Sequence, residues 1–266
     1  MKNLTIIALL LAALSIPASA SAAGVEFAVG GWYVDPSGTI SQEPFGLSDR
    51  ISLSSTSGFD EEWEFMARAK IQPPLLFGIY LQATPLSFST TDSSAFEFSF
   101  GDAVFSAGDS IDSDFFLNSY DAALYIPIPI VKAATFNTVS AEIGAGVRYI
   151  TLRAELENRI TEDDLDEIID TSALDDSERA NAVYPEGYAA VQIRPIEKLA
   201  LEGELWGYSW NGDKFWSVIG RLKFYPVGPL YVSGGYREDY YNFDQDDLEI
   251  NNAHFKGPFA EVGFSF

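Results

Sequence analysis

Cysteine is absent from this 266-residue chain, and histidine occurs once, at position 254. The absence of cysteine excludes thiol catalysis, cysteine-ligated zinc and iron–sulfur clusters. It also excludes a lipid anchor attached through a cysteine. A single histidine cannot form the imidazole clusters that hold transition metals. We therefore expect no cofactor.

Basic residues are also scarce. The chain has 16 lysines and arginines against 39 acids, a formal net charge of −23. That balance excludes a nucleic-acid partner bound through its phosphates. Acidic disordered chains contain few aromatic residues, whereas 14% of this chain is aromatic and 47% is hydrophobic. Apolar strands and acidic loops must therefore be segregated along the chain.

The sequence has no apolar run long enough for a spanning helix, which needs about 20 residues. The run from Ile6 to Ile16 is too short, follows Lys2, and precedes the small residues Ala18, Ser19 and Ala20. This order is typical of a signal peptide. We predict that residues 1–22 are removed by cleavage near 20–22, after export by the general secretory route. Residues 23–266 then form a single domain.

Apolar and polar residues alternate in stretches of about ten from residue 24 onwards, the length and period of a tilted transmembrane strand. In the last stretch, Val262, Phe264 and Phe266 share one face, and Glu261, Gly263 and Ser265 share the other. The pattern predicts an all-β fold, an antiparallel transmembrane β-barrel of about ten strands, with eight and twelve as the alternatives. The predicted strands are 24–35, 61–72, 75–86, 115–127, 136–152, 183–194, 199–209, 215–226, 230–238 and 254–266.

The connections between these strands differ in kind. Short turns containing proline are predicted near 72–74, 127–132, 195–198 and 226–229, and longer polar segments at 36–60, 87–114, 153–182, 210–214 and 239–253. Short periplasmic turns and long extracellular loops are typical of outer-membrane barrels. A soluble sandwich or lipocalin-like barrel is the alternative. The aromatic residues Trp63, Tyr149 and Phe266, near strand ends on the apolar face, favour the membrane barrel.

If the apolar face contacts lipid, the opposite face lines the lumen. Charges of both signs on that face can pair with one another, because an unpaired buried charge is costly. We predict a lumen charge network and a plugged or narrow lumen. Its acids are Glu26, Glu62, Glu64, Asp121, Glu142, Glu202, Glu204 and Glu261, and its bases are Arg68, Lys70, Arg148, Arg194, Arg221, Lys223 and Arg237.

The excess acids lie in the predicted loops, mainly at 155–178 and 238–249. A short surface helix is predicted over 162–170. Asp244, Asp246 and Asp247 are candidate Ca²⁺ ligands, since hard cations prefer carboxylate oxygens. The glycine and the distant glutamate of an EF-hand loop are missing, so solvated surface charge is the favoured interpretation.

Acyl-transfer and hydrolytic sites commonly use a histidine beside a serine or an acid. His254 is followed by Phe255 rather than by a nearby serine. We therefore interpret His254 as a loop or girdle residue at the outer mouth, and we expect that the protein is not an enzyme.

The signal peptide, the alternating strands and the terminal Phe264-Ser265-Phe266 resemble the superfamily of small Gram-negative outer-membrane β-barrel proteins. The resemblance covers essentially the whole mature chain but matches no characterised member by motif. It implies that Val262, Phe264 and Phe266 form a membrane-insertion signature read by the barrel-assembly machinery, with periplasmic chaperones as transient partners. Outer-membrane lipid and lipopolysaccharide are the lasting partners. The expected role is in envelope structure or surface interaction. A porin-like narrow channel, a transporter of small hydrophobic compounds and a lipid-modifying enzyme are the alternatives.

Overall fold

A computed structural model describes residues 24–42, 50–52, 60–73, 77–93, 98–100, 103–105, 110–158, 175–245 and 248–266. The predicted signal peptide and the predicted helix over 162–170 lie outside these residues. Ten long strands form one antiparallel sheet whose first and last members pair with each other, so the sheet closes into a barrel. The predicted ten-stranded antiparallel barrel is confirmed.

The strands that build the barrel wall are β1 (Gly24–Gln42), β3 (Glu62–Gln72), β4 (Gly78–Ser93), β7 (Ser110–Pro127), β8 (Val139–Asn158), β9 (Asp175–Ile196), β10 (Leu199–Trp210), β11 (Asp213–Val227), β12 (Leu230–Gln245) and β13 (Leu248–Ser265). Three short strands lie at the outer side: β2 (Arg50–Ser52), which pairs with β1, and the hairpin of β5 (Phe98–Phe100) and β6 (Ala103–Phe105). The helix α1 (Pro129–Ala134) connects β7 to β8.

The barrel closes through the strand that ends the chain. Phe27 lies opposite Phe264 in the β1–β13 pairing. The backbone of Phe266 continues the pairing, with its N–H donating to the Val25 carbonyl at 2.8 Å and its carbonyl accepting from the Val25 N–H at 3.2 Å. Closure leaves no free sheet edge inside the membrane, as a lipid-embedded sheet requires.

Several connections differ from their predicted form. The segment predicted as a longer loop over 210–214 is a two-residue turn at Asn211 and Gly212, whose φ angles are 53° and 99°. An Asn-Gly pair with positive φ at both positions makes a tight hairpin turn. The predicted turn over 127–132 instead contains helix α1. At the other end of the barrel, β12 runs on to Gln245, so the loop predicted to begin at residue 239 begins later.

The outward face carries an apolar band between two rows of exposed aromatic or large apolar side chains. The outer row contains the tilted pair Tyr33–Trp63, with ring centroids 5.4 Å apart, and the stacked pair Trp216–Tyr240, with centroids 5.6 Å apart. The periplasmic row includes Phe77, Phe136 and Phe266. The exposed side chains of the band are Leu81, Leu124, Ile143, Val147, Val191, Leu201, Leu205, Val218, Leu222, Val232 and Val262. Aromatic girdles on either side of an apolar band mark a membrane-spanning surface. No helix in the described part of the chain is long and apolar enough to cross a membrane.

In two places, a pair of adjacent strands stops pairing before the strands themselves end. The β3–β4 pairing runs only from Ala67 to Ile71. On the outer side of this paired stretch, the Glu64 carboxylate accepts a hydrogen bond from the Ser87 N–H at 2.9 Å. The β9–β10 pairing ends at Gly187 opposite Gly207, while β9 continues outward without β10. At the short β10–β11 hairpin, the barrel wall therefore extends less far toward the extracellular side than it does at the neighbouring strand β9.

Candidate functional site

A closed ring of ion pairs crosses the periplasmic half of the lumen. Arg68 contacts Glu26 at 2.6 Å and Glu261 at 3.2 Å. Glu261 also contacts Arg221 at 3.6 Å, and Arg221 contacts Glu204 at 2.6 Å and also pairs with Glu202. The ring closes through Lys223, which lies 2.8 Å from both Glu202 and Glu26. Strands β1, β3, β10, β11 and β13 all contribute, so the ring ties half of the ten wall strands together.

Tyrosine hydroxyls complete this charged ring. Arg68 donates to the Tyr231 hydroxyl at 2.9 Å, and that hydroxyl donates to Glu26 at 3.0 Å. The Tyr80 hydroxyl donates to Glu204 at 2.9 Å. Such bonds satisfy carboxylate lone pairs that would otherwise be buried without a partner.

A small vestibule of about 160 Å³ lies on the periplasmic side of the charged ring. Lys70 stands at its inner end, with its ammonium 3.0 Å from Glu142 and beside the rings of Tyr80, Tyr125 and Tyr188. Gln72 and Gln192 line its sides. The vestibule is polar and ends on buried charged side chains.

A second layer of charge lies on the outer side of the ring. Arg148 contacts Asp121 at 2.5 Å and donates to the Ser217 hydroxyl at 3.1 Å. Arg237 binds Asp239 through two nitrogens, at 2.9 and 2.7 Å, and donates to Thr84 at 2.8 Å. Both arginines also lie over aromatic rings, Arg148 over Phe215 and Arg237 over Trp32. The two-point contact between the Arg237 guanidinium and the Asp239 carboxylate fixes both of these side chains.

An apolar core fills the lumen beyond this second layer. Phe88, Phe115 and Phe255 stack with ring centroids 5.9 to 6.4 Å apart. Tyr184 of β9 stacks on Phe243 of β12 at 5.0 Å, above the short β10–β11 hairpin. The described interior thus changes from polar at the periplasmic end to apolar at the extracellular end.

The structure brings most of the residues of the predicted lumen charge network together. Those in the two charged layers or the vestibule are Glu26, Arg68, Lys70, Asp121, Glu142, Arg148, Glu202, Glu204, Arg221, Lys223, Arg237 and Glu261. Three others stand apart. Glu62 and Glu64 form no ion pair with a described residue, and Glu64 instead binds the Ser87 backbone. Arg194 is exposed at the periplasmic end, where it donates to the Glu197 carbonyl at 2.8 Å.

Two buried lumen acids were absent from the sequence-based network. Glu186 lies 3.5 Å from Arg148, and Asp239 pairs with Arg237. The sequence pattern predicts a strand over 230–238 and therefore places Asp239 in a loop, whereas β12 continues through it. Glu186 and Asp239 lie at alternate positions to other lumen-facing residues of their strands. Extending the inward–outward alternation through Pro185 and past Glu238 therefore predicts that both side chains face the lumen.

Only one of the three candidate Ca²⁺ ligands belongs to the described part of the chain. Asp246 and Asp247 lie outside the described residues, and Asp244 falls at the end of β12. Within the described residues, no group of three or more acidic or histidine side chains is arranged to hold a metal ion.

His254 lies in strand β13 and not in a loop, on the outward face at the outer aromatic row. Its Nδ1 is 3.2 Å from Glu238, and its ring meets Tyr240 edge-on with centroids 4.8 Å apart. Ser37 of β1 is the residue directly opposite His254, and its hydroxyl donates to the His254 carbonyl at 3.4 Å. The sequence alone gave no sign of this serine, because 217 residues separate the two positions.

The insertion-signature residues lie at the end of the closing strand. Val262 and Phe266 are exposed on the lipid-facing side, and Phe264 is half-buried.

No protein-family model matches the chain, and no curated protein matches it. Among solved structures, it is similar to the outer membrane protease OmpT from Escherichia coli, with 10% identity, 91% of this chain and 97% of that chain covered, and a TM-score of 0.52. It also matches OprG from Pseudomonas aeruginosa (10% identity, 92% and 96% covered, TM-score 0.40) and Ail from Yersinia pestis (11% identity, 91% and 98% covered, TM-score 0.38).

The closed antiparallel sheet and the girdled apolar band are those of a transmembrane β-barrel. The likeness to the OmpT structure shows the same fold. At this level of identity the likeness shows the fold alone, because one barrel architecture carries many unrelated functions.

Proposed function

We propose that the protein is a closed, non-enzymatic outer-membrane barrel that acts through its extracellular surface and does not conduct solutes. The filled lumen carries this proposal. Two layers of buried charge and an apolar core lie in series between the vestibule and the outer end. A hydrated channel lined by charge needs side chains in contact with water, whereas Arg68, Arg148 and Arg237 are fully buried.

The strands that project past the outer aromatic row support a role at the surface. Strand β8 continues from Tyr149, in that row, to Asn158, and β9 runs beside it. Their outer ends border the acidic segment around 155–178. In our proposal these acidic loops keep the surface solvated and present it to partners in the envelope or outside the cell.

A liposome-swelling assay tests the closed lumen. Liposomes containing the folded barrel are diluted into isotonic sugars of increasing size, with a general-diffusion porin as the positive control. We expect no swelling above that of empty liposomes. Swelling in small sugars would instead support a narrow channel or a transporter of small compounds, the alternative for this fold.

A second candidate, hydrolysis of a lipid ester, is favoured by one observation. Glu238, His254 and Ser37 occupy neighbouring strands on the lipid-facing side and are the residue types that a hydrolytic triad uses. Glu238 lies 3.2 Å from the His254 ring, and the Ser37 hydroxyl binds the His254 backbone carbonyl. Labelling of the folded protein with a fluorophosphonate probe tests it, with Ser37→Ala as the control. Labelling that Ser37→Ala abolishes would establish a reactive serine, and equal signals from the two proteins would remove this candidate.

Export and insertion belong to the same proposal. We propose that the chain crosses the inner membrane by the general secretory route and meets periplasmic chaperones. The barrel-assembly machinery then reads Val262, Phe264 and Phe266. Lipopolysaccharide and other outer-membrane lipids surround the finished barrel.

A further inference from the structure

A groove of about 670 Å³ lies on the outward face, across strands β8 to β11. Its floor has no outward side chain where Gly187 of β9 and Gly207 of β10 face each other at the end of their pairing. The buried aromatic residues Tyr188, Trp206 and Phe215 line the groove beneath these glycines. Ile143, Leu205 and Trp216 stand along its sides. Ile143 and Leu205 belong to the exposed apolar band, so the groove opens directly to the acyl chains of the membrane.

One end of this groove is polar. Lys214 and Ser209, which are opposite each other in the β10–β11 pairing, line the groove next to the outer turn at Asn211 and Gly212. Because that turn lies on the extracellular side, the polar end is at the level of the outer-leaflet headgroups. The groove is therefore amphipathic along its length, with apolar walls below and a cation above.

Among the described residues, the ammonium of Lys214 has no acidic partner. It lies 5.4 Å from the Tyr240 ring centroid, and no carboxylate of the described residues is within 4.0 Å of it. Lys256, on the same outward face, lies 3.7 Å from Asp35. In a chain with a net charge of −23, an unpaired cation facing the membrane interface is where an anionic headgroup would be attracted.

We propose that this groove binds lipid A, with one acyl chain along the glycine floor and a phosphate at Lys214; this inference rests on the outer-membrane placement proposed above. An acyl chain fills the apolar part of the groove. There it makes closer van der Waals contacts with the protein than it would make with mobile lipid chains. A phosphate at the polar end accepts charge-assisted hydrogen bonds from the ammonium. The occupant is a lipid of the outer leaflet because the cation lies at the extracellular end of the groove.

Native mass spectrometry of the folded full-length mature barrel in detergent tests the proposal, with bisphosphorylated lipid A as the probe. Lys214→Gln should weaken binding about tenfold, the equivalent of one charge-assisted contact. Gly187→Leu should prevent binding by filling the floor. A side chain fits there, because the nearest atom to an added Cβ is the Gly207 carbonyl oxygen at 3.8 Å.

Two matched variants serve as controls. Lys256→Gln removes a cation of the same face that already has a partner, and Gly220→Leu adds a side chain at an outward glycine with nothing within 4 Å of an added Cβ. Both should bind lipid A like the wild type, and heat-modifiable gel mobility should show that all four variants fold. Binding unchanged by Lys214→Gln and Gly187→Leu overturns the proposal.

Two further probes decide the identity of the lipid. Lipid A without phosphates should bind more weakly than the bisphosphorylated form, and Lys214→Gln should not weaken it further. Phosphatidylglycerol that binds as tightly as lipid A, with the same dependence on Lys214, would overturn the assignment to lipid A.

Discussion

Arg221 and Glu204, on neighbouring strands β11 and β10, meet inside the barrel at 2.6 Å, and both are buried. Arg221 also pairs with Glu202 and Glu261, so one guanidinium serves three carboxylates. Removing it would leave these acids without their shared cation. The charged ring is therefore opened at Arg221 when that residue is removed, while Glu202 keeps its contact with Lys223 and Glu261 keeps its contact with Arg68.

Arg221→Ala should destabilise the folded barrel by about 3–5 kcal/mol, the cost of removing one partner from a buried ion pair. The shift of heat-modifiable gel mobility with temperature or urea measures it. Arg194→Ala is the control, since Arg194 is exposed and donates to a backbone carbonyl. Its effect should be within about 0.5 kcal/mol. Equal unfolding of the two variants would count against the network.

Asp239→Ala should be strongly destabilising, because it leaves the fully buried Arg237 without its two-point partner. The double replacement Arg237→Met with Asp239→Leu should recover most of the loss, since an apolar pair of similar volume replaces a buried ion pair at little cost. Urea unfolding of both variants measures this. An Asp239→Ala effect below about 0.5 kcal/mol would indicate a solvated surface position.

Gly263→Ala should disturb the lumen side of β13. An added Cβ would lie 2.4 Å from the Tyr231 side chain and 2.6 Å from the Phe27 carbonyl oxygen. The Tyr231 side chain, whose hydroxyl donates to Glu26, would therefore have to move. We expect a loss of about 1–3 kcal/mol, as for other overpacked sites. Gly220→Ala, with nothing within 4 Å, is the matched control and should unfold like the wild type. Equal unfolding of the two alanine variants would contradict the observed packing of Tyr231.

Deleting Phe266 should lower the amount of folded barrel in the outer membrane. The deletion removes the exposed terminal aromatic side chain and the two backbone bonds to Val25 that extend the closure of β1 with β13. Fractionation of the outer membrane followed by unheated gel electrophoresis gives the folded fraction. Refolding of the purified variant in detergent separates the causes: normal refolding with poor assembly in cells indicates a recognition defect, whereas poor refolding indicates a stability defect. Normal assembly in cells would contradict the proposed role of the signature.

The alternation of the sequence was sufficient to predict the barrel, its strand number and the lumen side of each strand. Parity places Arg148 and Asp121 inside, because successive side chains point to opposite faces. It does not say which inward residues meet, since that depends on strand tilt and stagger. Arg237 and Asp239 pair along one strand, whereas Arg68 and Arg221 reach across the ring to the shared Glu261.

Strand ends were predicted less well than strands. Polar residues past the outer aromatic row do not mark the strand ends, because β8 stays paired with β9 there and β12 stays paired with β13 across a shift of register between Tyr241 and Phe243. The Asn211–Gly212 turn could have been recognised from its two residues alone. The approach of Ser37 to His254 could not, because it follows from closure of the first strand on the last.

Single-channel recording in planar bilayers tests the closed lumen most directly. Wild-type protein, inserted and verified as folded, should give no discrete and reproducible conductance steps at either polarity, because the charged ring, the second charged layer and the apolar core fill the lumen in series. Reproducible openings of the wild type that are altered by Arg148→Ala or Arg221→Ala would show an ion path through those layers and would contradict the account.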